Sequence, residues 1–178
     1  MTELVLASIL TIALLLAFLI WWIGYLRALS YLRLKRMERV IQLRMNSLST
    51  VTHKNELYKV LVGILNNFCI MVFELVSVLP LRSTTSPGML IASIENYVVR
   101  HVSAINGAAR LWNVNKEEMD IFFDRYRKVL LDFQEELKEI MLQIKNKGEQ
   151  LDMIELLIES AMDSIVEMVL DGQSEDLH

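Results

Sequence analysis

Apolar positions recur along this chain in three rhythms, and each predicts a different helix. From Leu4 to Leu26 they are continuous: LVLASILTIALLLAFLIWWIGYL holds no charged residue. At 1.5 Å per residue this stretch is about 35 Å long as a helix, enough to cross a hydrocarbon core of about 30 Å with modest tilt. It is therefore expected to be a transmembrane anchor, with domain limits 1–26. From 27 to 48 the rhythm becomes amphipathic. Leu34, Met37, Ile41 and Leu48 share a face, and arginines occupy the others. The absence of Gly and Pro lets this segment continue the anchor helix, and packing against later helices is favoured over lying on the bilayer.

A Ser/Thr cluster around Thr52 closes this juxtamembrane segment and connector (27–53) and offers a cap for a helix over 54–79. That helix carries a polar stripe of Glu56, Lys59, Gly63, Asn66, Asn67, Glu74 and Ser77 within a sector of about 120°. The stripe predicts a bundle helix with one face in water. Its apolar length, Val60 to Leu79, keeps a second membrane span as the alternative, in which the stripe would have to meet protein or a pore. The broad apolar face, including Val60, Leu61, Ile64, Phe68, Met71, Phe73, Leu75 and Val76, looks too wide for one bundle to hide. Self-association or a protein partner is the expected consequence.

Pro80 ends that helix, and 81–88 is a loop of turn formers. Ser86 is an N-cap with Pro87 at the first helical position. The helix it starts runs to Leu111, with Asn96, Arg100, Ser103, Gly107 and Arg110 outward and Ile94, Val98, Ile105 and Ala109 opposite. Asn115, Glu118 and the Val114–Met119 pair form a capping box and staple for the next helix. There the third rhythm begins, alternating steps of four and three: Met119, Phe123, Tyr126, Leu130, Phe133, Leu137, Ile140 and Ile144. Such spacing marks a coiled-coil-like seam. Lys145 to Gly148 then supplies cations for the helix end and a Gly to leave it. A last helix, 149–171, repeats the spacing through Leu151, Ile154, Ile158, Ala161, Ile165 and Met168, with Gly172 as its stop and 172–178 as a mobile tail. Because the seam stays in register across Gly148, one long helix is the alternative to an αα-hairpin. The fold class expected is all-α, a transmembrane helix followed by an antiparallel bundle of about four helices over 54–171.

Composition agrees: 53% hydrophobic residues with two Pro and six Gly leave few breakers. Charge adds an orientation. Trp21, Trp22 and Tyr25 are rings suited to the headgroup level, and Arg27, Arg33, Lys35, Arg36, Arg39 and Arg44 follow them. Glu3 alone precedes the anchor. Basic residues beside a span stay inside, so the N-terminus is expected outside and the bundle cytoplasmic. A cleavable signal peptide with Ala28-Leu29-Ser30 as its cleavage site competes, but a signal needs a basic start and a shorter apolar core. Residues 27–59 hold eight basic and two acidic residues, a net +6, whereas 115–178 hold seven basic and seventeen acidic, a net −10. Anionic lipid would attract the first block and repel the second.

No sequence signature of phosphate, dinucleotide, zinc or nucleophile chemistry is present. Cys69 is the single cysteine, and His53, His101 and His178 have no spacing that makes a triad or metal site; His101 falls on an apolar side and is expected to be a core residue. No cofactor, metal or small-molecule substrate is indicated. The membrane-side position already accounts for the arginines that might otherwise suggest nucleic acid. Two functions follow from the pattern: a non-enzymatic, single-pass assembly or recruitment module at the cytoplasmic face, or a two-span multimeric membrane protein lined by Asn66, Asn67 and Glu74. An enzyme with an unfamiliar site ranks third.

Overall fold

With so few breakers the chain has little choice but helix, and the computed structural model, described over residues 2–49, 56–78, 86–111 and 116–174, is all-helical. Among the described residues there are five helices: α1 (Thr2–Ser49), α2 (Glu56–Val78), α3 (Pro87–Leu111), α4 (Lys116–Gln143) and α5 (Lys147–Ser174). The stretch 4–26 and the basic segment after it are one continuous helix: no proline falls within Thr2–Ser49, and Gly24 is carried inside it.

The halves of α1 differ in what they touch. From Ala7 to Tyr25 every residue is exposed, whereas Met37 and Ile41 are fully buried and Leu34 and Met45 pack at the core's edge. The second half thus joins the other four helices as a fifth packing element. Ser30 is already in contact with α2, its hydroxyl donating to the Ser77 carbonyl at 3.3 Å. Helix α1 packs on α2 and α5, α3 on α4, α4 on α5 and α2 on α5. The core they enclose runs from Leu61, Leu65, Phe68 and Val72 through Tyr126, Leu130, Phe133 and Leu137 to Ile154, Ile158 and Ile165. Burying apolar surface at about 25 cal/mol per Å² is what holds such helices together, since most of a helix's stability in a protein comes from packing its apolar face rather than from intrinsic propensity.

Ser86 starts α3 as expected: the Met89 amide donates to its hydroxyl at 3.3 Å and to its carbonyl at 3.0 Å, with Pro87 at the first helical position. The Thr52 cap, Pro80, the Asn115 cap with its Val114 staple, and the tail beyond Ser174 lie outside the described residues.

Three expectations need correction. Gly148 does not end α4; it sits inside the first turn of α5, and the break falls at residues 144–146, where Asn146 caps α5. The single long helix is therefore not formed. Gly172 does not stop α5, which continues to Ser174. Glycine permits an exit from a helix without forcing one, and no proline follows. Finally, the polar stripe of α2 does not all face water. Asn67 and Glu74 are exposed, but Asn66 and Ser77 are buried, because α1 covers that flank at Ser30. The broad apolar face is correspondingly mostly hidden: Leu61, Phe68, Phe73 and Val76 are buried, Ile64 and Met71 partly so, and only Val60 and Leu75 are open among those described.

Candidate functional site

The exposed half of α1 carries the first candidate surface. Phe18, Trp21, Trp22 and Tyr25 recur three or four residues apart, which places them on one side of the helix. Their rings form a continuous run, Trp21 stacked on Tyr25 at 5.8 Å and Phe18 on Trp22 at 6.1 Å, with Trp22 also 6.1 Å from Tyr25. All four are open to the surroundings. The run stands between the uncharged stretch of α1 and the exposed Arg27.

Three of the basic residues that follow are paired with carboxylates of α5. Arg33 pairs with Asp152 at 3.0 Å, Arg36 pairs with Glu155, and Arg44 pairs with Asp163, its Nε 2.8 Å from Oδ1 and its Nη2 donating to Oδ2 at 3.0 Å. Each acidic partner lies 119 residues after its arginine. Helices rise equally per residue, so one constant offset over three pairs means that α1 and α5 run parallel and in fixed register. The basic and acidic blocks are thus partners of one another. Of the remaining basic residues, Lys35 bonds Glu38 on its own helix, which with the same carboxylate's charge raises the lysine's pKa, and Arg27 and Arg39 are exposed.

Within the ladder the middle rung is unlike the others. Arg36 is two-thirds exposed, but the Glu155 side chain is only 4% exposed, and its Oε1 has no hydrogen-bond partner. Asp152 and Asp163 are both open to solvent. Glu155 therefore depends on Arg36 for most of its charge compensation, a dependence that solvated carboxylates do not have.

A second construction joins α4 to α5. Asn146 accepts the Gly148 amide on its side-chain oxygen at 2.9 Å, an N-cap, with Glu149 at the third helical position. Gln150, 2% exposed, turns its amide back on α4 and donates to the carbonyls of Ile140, Met141 and Ile144 at 3.4, 3.4 and 3.1 Å. The Ile140 carbonyl also accepts from the Ile144 amide at 3.1 Å, whereas carbonyls in the last turn otherwise run out of partners within the helix, and this side chain supplies one. Lys147 holds the other end of the same amide, Nζ to Oε1 at 2.8 Å. The connection is short, and every polar group of Gln150 is engaged.

The seam of α4 lies where the spacing places it: Tyr126, Leu130, Phe133, Leu137 and Ile140 are buried, and Phe123 and Ile144 partly buried; the Met119 side chain is not among those described. Phe122 and Met141 are buried as well. A helix wedged between two neighbours, α3 and α5, buries a wider face than a two-stranded seam. Phe68 of α2 meets the seam at Phe133, edge on at 5.6 Å, and touches Tyr97 and His101 of α3.

His101 is a partnered core residue, its Nε2 3.2 Å from the Tyr126 hydroxyl. Burial lowers the pKa of the imidazole and raises that of the phenol, so both are neutral at pH 7. The unfolded chain then takes up a proton that the folded chain resists. Stability is full above the unfolded pKa of about 6.5 and is lost as pH falls below it. The expected result is that the loss of melting temperature between pH 7.5 and pH 5.5 is smaller in His101→Gln, which keeps a partner for Tyr126, than in the native chain. Equal losses in the two proteins would disprove it.

Cys69 is fully buried, and among the described residues no three His, Cys, Asp or Glu side chains are grouped to hold a metal ion. The acidic partners Asp152, Glu155 and Asp163 escaped sequence reasoning, as did Asn146 and Gln150. A signal for the first set existed: the spacing of Arg33, Arg36 and Arg44 is the spacing of Asp152, Glu155 and Asp163. No family model matches this chain, and no curated protein or solved structure is significantly similar to it.

Proposed function

We propose that this protein is a membrane-anchored, non-enzymatic module: residues 4–26 cross the bilayer with the N-terminus outside, and an up-and-down helical bundle stands at the cytoplasmic face, where it assembles with itself or with a protein partner. The observation that carries this reading is the unpartnered half of α1. The most apolar part of that helix is long enough to cross a membrane and none of it is buried within the protein. Side chains such as Leu14, Leu15, Ile20 and Trp21 are 60–70% exposed. About twenty consecutive apolar residues left in water would be a severe aggregation hazard; in lipid they are satisfied.

Helix α2 also holds a stretch apolar enough to span, Val60–Ser77. More than half of it is buried inside the protein, and its far end, Ser77, meets Ser30. A two-span hairpin would pair α2 with residues 4–26 of α1. Instead α2 accompanies the half that carries the arginines, which supports a core role. For partner contact the bundle offers Met153 and Leu156, three apart on one face of α5 and both exposed. The hidden face of α2, in contrast, no longer supplies a reason for self-association.

A reporter enzyme active only in the cytoplasm, fused after Asp176, tests the topology. Activity is expected. Activity only in the opposite, exported reporter would overturn the single span and favour the hairpin.

A further inference from the structure

The ladder between α1 and α5 measures depth, and resting on the anchored reading above, we propose that the α4–α5 turn is a second membrane contact in which Lys145 and Lys147 meet anionic lipid headgroups. The offset of 119 residues is constant over three ion pairs, so it extends along the parallel helices: Lys147 lies level with Ala28, and Asn146 with Arg27. Those are the residues directly after the aromatic run that ends at Tyr25. One or two residues of rise, about 3 Å, separate the turn from the edge of the span. The turn therefore sits at the headgroup level whenever the anchor is in the bilayer.

Its chemistry suits that depth. Lys145 and Lys147 are exposed, and among the described residues neither has a carboxylate partner; Lys147 touches only the neutral amide of Gln150. Leu142, in the last turn of α4, is 60% exposed. Helix α3 runs opposite to α4, since His101 meets Tyr126 and Glu95 meets Lys138. That direction brings Met89, 66% exposed at the start of α3, to the same end. Two large exposed apolar side chains and two exposed cations thus lie at the end of the bundle from which residues 4–26 extend. At the other end of α4 the exposed residues include Asp120 and Asp124. The turn is rigid through its Asn146 cap and Gln150, so it meets lipid preformed.

Whereas Arg33, Arg36 and Arg44 are spent on α5, Lys145 and Lys147 add to the exposed Arg27 at this level, with the exposed Glu149 as the one carboxylate in the turn. A Lys near an anionic surface changes occupancy roughly fivefold.

The test uses the full chain in vesicles with a nitroxide on the lipid headgroup, either phosphatidylcholine alone or with phosphatidylserine added. A fluorophore is placed at Leu142→Cys or, as the distant control, Asp120→Cys; the buried Cys69 resists labelling. In a Trp112→Phe background only Trp21 and Trp22 remain to report the anchor. The expected result is strong quenching at 142 and little at 120, increased by phosphatidylserine and lost in Lys145→Gln/Lys147→Gln. Quenched tryptophans with equal quenching at 142 and 120, or quenching at 142 indifferent to both phosphatidylserine and the lysine changes, would overturn the headgroup contact while leaving the anchor intact. Unquenched tryptophans would overturn the anchor itself, and the contact with it.

Discussion

Replacing Arg36 with Ala is expected to destabilise the folded bundle by about 3 kcal/mol, more than either neighbouring arginine, although Arg36 is the most exposed of the three. The cause lies in its partner. Glu155 is almost wholly buried with one carboxylate oxygen unpartnered, so removal of Arg36 leaves a charge in the interior with nothing opposite it. Breaking a buried pair from one side costs about 3–5 kcal/mol, and solvent access on the Arg36 side puts this case at the lower end. Arg33→Ala removes a partner from Asp152, which is open to water, and Arg44→Ala does the same for Asp163; each should cost about 1 kcal/mol or less. The asymmetry gives the decisive comparison. Glu155→Met removes the buried charge and fills its place, and should be neutral or stabilising. The double variant Arg36→Ala/Glu155→Met should then melt close to Glu155→Met. For a chain of this length 3 kcal/mol corresponds to about 6–12 °C. Thermal melts of the full chain in detergent read this directly, and a Glu155→Met as damaging as Arg36→Ala would show that the carboxylate serves the fold in some other way.

The same residues show what a sequence discloses and what it withholds. Local features were plain. The uncharged run of 4–26, the Ser86-Pro87 start and the heptad spacing of Tyr126 to Ile140 act within a turn or two of helix, and the structure has them at those positions. The break between α4 and α5 is legible in the KNKG stretch, but its cap is Asn146 and not Gly148. Asn146 and Glu149 have capping-box spacing, yet the adjacent Gly148 is the more familiar helix terminator, and Gln150 acts on carbonyls that only the completed turn brings near. The charge blocks were equally visible as blocks. Whether they meet depends on α1 and α5 being parallel neighbours, a consequence of topology rather than of either segment. Asn66 and Ser77 make the same point for α2: hydropathy marks them as a wet face, but the arrival of α1 at Ser30 decides which flank stays wet.

Phe133→Ala should be among the most damaging single changes in α4. The side chain is 3% exposed and stands edge on to Phe68, which itself contacts Tyr97 and His101, so one ring joins the seam of α4 to α2 and, through Phe68, to α3. Truncating a buried phenylalanine costs about 3–5 kcal/mol, from the lost transfer energy and the cavity that remains. A domain possesses only about 5–15 kcal/mol in total, so the variant should be near its limit at 37 °C. Glu135→Ala and Lys138→Ala, on the outer side of the same helix, should cost about 0.5 kcal/mol or less, even with the 3.9 Å approach of Lys138 to Glu95. The aromatic edge contact is separable from simple burial. Phe133→Leu keeps most of the volume, and a double-mutant cycle with Phe68→Leu should return a coupling of about 0.5–1.5 kcal/mol. Melts decide the structural part, and sedimentation of the same samples decides whether the seam also serves assembly. A Phe133→Ala that melts like the native chain but no longer self-associates would move this residue from the core of one molecule to the contact between two.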